Sequence, residues 1–282
     1  MKKTALNRCG KIGFVFCTVL AAIFQSLAAC NALDITSNYF HNDSPFPFLA
    51  TVFAILGVIC GSIAALTAKD HGRSHSPFDS KPILNIPACI AASVAFLATA
   101  LLFLSQSNAP LTRLLTVFAA LATMYEILCL FPRLRIEHSG LVTLVGFSTV
   151  LLCVVCNAYY YFDVTVEMNA PFKVSLQMGL LAAMVYFTGE LRYLLNKPLP
   201  RMYRMLAAWT MALSALSVPA LFLAFFTQKN DRIDYLAGAI LMLGICLSVC
   251  LRVFSLRVRS SSESNTEDVS LTETDTIGKD TV

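Results

Sequence analysis

Residues 114–131 read LLTVFAALATMYEILCLF, a continuous apolar run that a single carboxylate, Glu126, interrupts. A helix that crosses a bilayer needs about 20 mostly apolar residues, whereas a spanning β-barrel shows short segments of alternating hydrophobicity. The run therefore predicts a transmembrane helix, and seven other stretches have a similar length and composition. We predict an all-α fold, a polytopic integral membrane helix bundle with about eight transmembrane helices and short loops. The predicted spans are 12–30, 45–68, 82–104, 110–131, 139–163, 171–195, 203–227 and 233–256.

The composition supports the same fold class. Hydrophobic residues make up 57% of the 282 residues and charged residues only 13%, against about 25% charged residues in soluble domains. The connections between the spans are short, so residues 1–259 are expected to form one transmembrane bundle with no separate soluble core. Any functional site should therefore lie between helices or at helix ends.

The distribution of Lys and Arg predicts the orientation, because positive residues are retained on the cytoplasmic side of a membrane. With the N-terminus inside, 17 of the 21 Lys and Arg residues fall on the inner side, Arg252 among them, and 4 fall on the outer side. We therefore expect both termini in the cytoplasm and the protein in a plasma membrane. The short basic start is typical of a bacterial membrane protein.

The first span has an alternative interpretation. A basic start, an apolar middle and small residues at the end are also typical of a secretion signal, and residues 27–30, LAAC, resemble a bacterial lipoprotein processing site. Cleavage before Cys30 would leave seven helices. We favour an uncleaved first helix, because seven further spans already anchor the chain and lipidation would add little.

The C-terminal segment differs sharply from the bundle. Residues 260–282 are rich in Ser and Thr and contain six acidic residues and one Lys. Such a segment cannot bury enough apolar area to fold, so we predict a disordered acidic tail in the cytoplasm. It acts either as a solubilising tail or as the binding segment for a protein partner.

The rest of the chain carries a net charge of +9. Its basic inner loops are expected to contact anionic lipid headgroups, which makes the bilayer itself the main partner. Because these basic residues alternate with the spans, as topology signals do, we predict no nucleic-acid binding.

Two carboxylates inside spans are candidate proton-coupling or substrate-facing residues. Glu126 lies several positions inside the fourth span, where an uncompensated charge costs roughly 2.5 kcal/mol or more. A carboxylate that gains and loses a proton there can couple proton movement to transport; the alternative is a structural pair with a neighbouring Arg or Tyr. Glu190 lies nearer the end of its span, close to Arg192, and either faces headgroups or pairs with a nearby cation.

Other residues inside spans are assigned to helix packing. Gly57, Gly61 and Ala65 are spaced by four and share one helix face, where small side chains let another helix approach closely. Pro219 lies deep in the seventh span and is the best candidate for a kink. Of the ten cysteines, nine lie in predicted spans, and we expect them to pack as small apolar side chains.

No catalytic residue is recognisable from a motif. The chain contains no phosphate-binding glycine loop, no HExxH, no GxSxG and no dinucleotide fingerprint. We therefore predict no cofactor and no metal site.

Three functional hypotheses remain. The first is a small-solute transporter or permease with a proton-coupling carboxylate. The second is a non-catalytic membrane scaffold or sensor that works through a partner protein. The third is a membrane-embedded lipid-modifying enzyme, which would need clustered nucleophiles, acids or a metal.

Overall fold

The computed structural model describes residues 2–31, 33, 40, 44–68, 78, 82–106, 110–164, 170–227 and 232–253. The predicted all-α polytopic bundle is confirmed: eight helices within these ranges are long and apolar enough to cross a membrane. The predicted tail, residues 260–282, lies outside the described residues. The helices are α1 (Lys2–Asn31), α2 (Phe46–Thr67), α3 (Pro82–Gln106), α4 (Pro110–Cys129), α5 (Pro132–Glu137), α6 (Ser139–Phe162), α7 (Pro171–Leu194), α8 (Pro200–Phe226) and α9 (Ile233–Val253).

The helices differ from the predicted spans in two places. α1 begins at Lys2 rather than near residue 12, because Lys, Arg and Leu are good helix formers and extend the helix beyond the apolar run. The short helix α5 is not predicted at all. Its sequence, PRLRIE, starts with Pro132, a residue favoured in the first turn of a helix, and it is too short and too charged to cross a membrane.

The helix α9 packs closely against several other helices. A Cβ added at Gly244 would overlap the Cβ of Ala95 on α3. A Cβ added at Gly238 would lie 2.5 Å from the hydroxyl of Tyr160 on α6 and 2.8 Å from the side chain of Leu176 on α7. Because glycines allow helices to approach this closely, α9 packs directly against α3, α6 and α7.

α1 and α2 form a helical pair that packs against α8. Gly57 and Gly61 lie where α2 meets these helices. A Cβ at Gly57 would lie 3.3 Å from the hydroxyl of Thr18 on α1, and one at Gly61 would lie 2.7 Å from the Cβ of Ala208 on α8. Ala65 is buried on the same helix. Small residues therefore let α2 fit between α1 and α8.

The outward faces of the long helices are apolar. Large side chains such as Ile12, Phe16, Leu101 and Leu144 are more than half exposed. In water such a surface would drive aggregation. In a bilayer it is the expected contact with lipid tails.

Candidate functional site: a buried charge cluster

Arg252, near the end of α9, joins two buried carboxylates. Its Nη2 donates to Oε2 of Glu126 on α4, and its Nη1 donates to Oε1 of Glu190 on α7, both at 2.5 Å. All three side chains are 0% exposed. We call these three residues the Arg252 cluster. The cluster links α9 to both α4 and α7 through charge.

The helices bring these side chains to the same level at one end of the bundle. Glu126 lies about one turn before the end of α4 at Cys129, and Glu190 about one turn before the end of α7 at Leu194. Arg252 lies in the last turn of α9. Removing such ions from water is costly and is tolerated only when they are paired and hydrogen-bonded. Pairing across three helices therefore fixes where these helix ends meet.

The charges of the Arg252 cluster do not balance. Two carboxylates face one guanidinium, so the cluster carries a net negative charge when both glutamates are ionised. Oε1 of Glu126, Oε2 of Glu190 and Nε of Arg252 are buried and make no hydrogen bond within the described residues. A proton on either carboxylate would remove the net charge and provide an additional donor. The arrangement is therefore suited to binding one proton.

Titratable side chains from four helices surround the cluster. Nη2 of Arg252 also donates to Sγ of Cys89 at 3.6 Å, and the hydroxyls of Tyr186 and Tyr203 share a hydrogen bond of 2.6 Å. These groups give the cluster a polar neighbourhood in an otherwise apolar bundle. The neighbours are Cys89 from α3, Tyr125 and Cys129 from α4, Tyr186 from α7 and Tyr203 from α8.

Phe78 and a second arginine lie against one side of the cluster. The ring of Phe78 stands between two guanidinium groups, and its centroid is 5.3 Å from Cζ of Arg252 and 5.3 Å from Cζ of Arg135. Arg135, from α5, also donates from Nη1 to the carbonyl oxygen of Phe78 at 3.1 Å. Cation–π contacts are worth up to about 2 kcal/mol when desolvated. Phe78 is thus held firmly against Arg252.

Gly146 on α6 makes room for the groups beside the cluster. A Cβ added there would lie 2.6 Å from the ring of Tyr125 and 2.6 Å from Leu191, the residue that follows Glu190. The Tyr125 hydroxyl is close enough to interact with Glu190, although it makes no hydrogen bond of normal geometry within the described residues. A side chain at position 146 would therefore push α4 or α7 outward and disturb the cluster.

A second charge cluster lies at the other end of α9. Arg232 pairs with Asp163, the residue after α6, at 2.8 Å, and also with Asp234. The Tyr160 hydroxyl donates to the carbonyl oxygen of Asp234 at 2.6 Å, and Nζ of Lys173 donates to that of Asp163 at 2.8 Å. Burial alone would lower the pKa of Arg232, but its hydrogen bond and charge interaction with Asp234 raise that pKa above its usual value. We call Arg232, Asp163 and Asp234 the Asp234 cluster.

The structure brings together both carboxylates that the sequence singles out. Glu126 and Glu190 share one guanidinium, and the partner of Glu190 is Arg252. Their roles as proton-coupling or substrate-facing residues stay predictions. The other singled-out residues lie on different helices: Gly57, Gly61 and Ala65 on α2, and Pro219 within the uninterrupted helix α8.

Arg252 is the member of the Arg252 cluster that the sequence does not single out. A Lys or Arg near the end of a span is normally a topology signal, and Arg252 reads as one. One signal does point to it, because position 252 falls inside the predicted span 233–256 and a charge inside a span needs a partner.

Within the described residues, no group of three or more His, Cys, Asp or Glu side chains is placed to hold a metal ion.

No protein-family model matches the chain, and comparison with curated proteins and with solved structures gives no match.

Proposed function

We propose that the protein is a small-solute transporter that couples its cycle to protons through the Arg252 cluster. The observation that carries this proposal is the pair of carboxylates on a single, fully buried guanidinium. Ionisable residues inside membrane bundles are costly, and they are typical of ion pathways and proton relays. A structural ion pair needs only one carboxylate for its arginine, whereas this cluster has a second.

Proton binding gives the cluster two charge states. When both glutamates are ionised, each holds the guanidinium and ties α9 to α4 and to α7. A glutamate that takes up a proton can keep a hydrogen bond to Arg252 but loses most of its Coulomb attraction. The proton thereby weakens one helix contact and leaves the other intact. This change in relative stability is what allows a proton to shift the bundle between two conformations.

Uptake into liposomes tests the proposal. The purified protein is reconstituted around a pH-sensitive dye, a pH gradient is imposed, and a panel of amino acids, sugars, organic acids and amines is added outside. We expect at least one solute to accumulate together with proton movement. Glu126→Gln and Glu190→Gln should each uncouple uptake from the gradient. Glu137→Gln, which removes an exposed glutamate on α5, is the matched control and should behave as the parent.

Two results would contradict the proposal. Equal proton-driven uptake by the parent, Glu126→Gln and Glu190→Gln would remove the cluster from the mechanism. No uptake across the panel, by protein with a normal thermal transition, would remove the transport function. The scaffold hypothesis would then be tested by affinity purification in mild detergent, with and without residues 260–282.

The distribution of Lys and Arg supports an orientation with both termini in the cytoplasm and the Arg252 cluster in the inner half of a plasma membrane. The exposed residues Arg133, Arg192 and Arg201 would then lie at the level of anionic headgroups. A reporter that is active only in the cytoplasm should work when fused after residue 197 and fail when fused after residue 168. The reverse pattern would invert the orientation.

A further inference from the structure

The two charge clusters lie at opposite ends of the same helix. Asp234 is in the first turn of α9 and Arg252 is in the last, so at 1.5 Å per residue they are about 27 Å apart. The hydrocarbon core of a bilayer is about 30 Å thick. Ion pairs therefore hold α9 at both ends of its crossing: the Asp234 cluster holds it against α6, and the Arg252 cluster holds it against α4 and α7.

Between the clusters α9 carries no charged side chain. Residues 235–251 read YLAGAILMLGICLSVCL, and the close contact with α3 is made by Gly244 and Ala95. The buried middle also contains Leu241, Met242 and Ile245, all 0% exposed, and small sliding of packed helices is a common form of rigid-body motion. The ion pairs at the ends, which are directional, add two fixed points to this packing.

We propose that the two clusters are the two gates of an alternating-access cycle. Tilting of α9 breaks the Arg252 cluster on one side of the membrane while the Asp234 cluster stays closed, and the reverse tilt opens the other side. This inference rests on the transport function proposed above and adds how access is controlled. Rocking of one part of a bundle against another is the general way in which carriers expose a site to each side. In this structure both gates are closed.

Two native cysteines lie beside the gates. Sγ of Cys89 is 3.6 Å from Nη2 of Arg252. Cys156 lies one turn before Tyr160 on α6, and the Tyr160 hydroxyl bonds to Asp234. Both cysteines are 0% exposed, so a reagent in water cannot reach either thiol in the closed structure. Each should therefore react with a maleimide only when its own gate opens.

The test compares labelling rates in three single-cysteine proteins, which keep Cys89, Cys156 or Cys153 and have the other nine cysteines replaced by Ala or Ser. Each protein is reconstituted in liposomes and treated with N-ethylmaleimide. Arg232→Gln should speed the labelling of Cys156 about tenfold without speeding that of Cys89. Glu190→Gln should speed the labelling of Cys89 without speeding that of Cys156. A tenfold change in rate corresponds to a loss of about 1.4 kcal/mol in the stability of the closed state relative to the open state.

Cys153 is buried inside α6 and is the control for unfolding. Its labelling should stay unchanged. If the labelling of Cys153 speeds up in a variant, the whole bundle of that variant has loosened. The same labelling rates are then measured in the milder replacements Arg232→Lys and Glu190→Asp. With Cys153 unchanged, the inference is overturned if both reporter thiols speed up together, or if neither rate changes.

The labelling result and the uptake result are separable. Reciprocal labelling without solute uptake would support the two gates and remove the transport function. Proton-driven uptake without reciprocal labelling would support transport and overturn the gates. Neither assay therefore depends on the success of the other.

Discussion

The two clusters at the ends of α9 use the same kinds of side chain under different conditions. In the Arg252 cluster the guanidinium is 0% exposed and is shared by carboxylates from two helices that are far apart in the sequence. In the Asp234 cluster the guanidinium of Arg232 is 29% exposed, and one of its partners, Asp234, is two residues away. The first cluster is an enclosed junction of three helices, and the second is partly exposed at the end of the bundle.

The clusters also differ in how their charge is compensated. Both place two carboxylates on one guanidinium and have a further cation nearby: Lys173 donates to the carbonyl oxygen of Asp163, whereas Arg135 lies against the ring of Phe78 beside Arg252. Solvent and salt also screen partly exposed charges, whereas they hardly reach buried ones. Charges at the partly exposed end are within reach of solvent and salt, whereas the buried Arg252 cluster is shielded from both. Four measurements test this difference.

The largest effect is expected at Arg252. Arg252→Gln leaves two carboxylates buried without a cation, and removing one partner of a buried ion pair costs about 3–5 kcal/mol. The midpoint of thermal unfolding in detergent should therefore fall strongly. Arg133→Gln removes an exposed arginine next to α4 and should leave the midpoint almost unchanged. Equal midpoints for the two variants would show that charge pairing does not hold the three helices together.

A smaller but diagnostic effect is expected for the two glutamates together. Glu126→Gln or Glu190→Gln alone leaves one carboxylate for Arg252, so each loss of stability should be modest. The double replacement leaves the guanidinium buried without a counter-charge. We expect a coupling free energy of about 1–3 kcal/mol between the two sites in a double-mutant cycle. Simple additivity would mean that the glutamates do not share one arginine.

At the other end, Arg232→Gln should cost about 1.5 kcal/mol, less than Arg252→Gln, because Arg232 is 29% exposed although its partners Asp163 and Asp234 are 8% and 5% exposed. Raising the salt concentration should shrink the difference between this variant and the parent, since mobile ions screen exposed charges. The difference caused by Arg252→Gln should persist in the same titration. An Arg232 effect that does not respond to salt would mean that the Asp234 cluster is as enclosed as its counterpart.

The smallest effect is expected for Tyr160→Phe. The change removes the hydrogen bond from the Tyr160 hydroxyl to the carbonyl oxygen of Asp234, and interhelical hydrogen bonds in membrane proteins average about 0.6 kcal/mol. Thermal unfolding should show a slight decrease relative to Tyr161→Phe, which alters an exposed ring on the same helix. If the two variants are indistinguishable, this hydrogen bond does not help to hold α9 against α6.

Much of the fold can be predicted from the sequence, because each span carries its own signal. A run such as 114–131 is apolar over the length of a helix and needs no information from the rest of the chain. The two differences have local causes. Hydropathy identifies only the part of a helix that is apolar enough for lipid. It therefore cannot show that α1 extends beyond its apolar run to Lys2. α5 has six residues, which is too few for a periodic pattern.

The candidate site is predictable only in part. Glu126 and Glu190 stand out because a carboxylate in an apolar run is rare. That both reach one guanidinium depends on how α4, α7 and α9 are rotated and ordered, and contacts such as that of Gly146 with Tyr125 determine this only in three dimensions. Arg252 escapes notice because an arginine near the end of a span also fits a topology signal.

The place of Arg252 on α9, which follows α4 and α7 in the sequence, has a consequence for biogenesis. During synthesis α4 and α7 leave the ribosome before α9. Until α9 is inserted, Glu126 and Glu190 do not have Arg252 as an ion-pair partner. Insertion of α9 therefore supplies their counter-charge. A chain truncated before α9 would carry uncompensated acids in lipid and should be less stable than the parent.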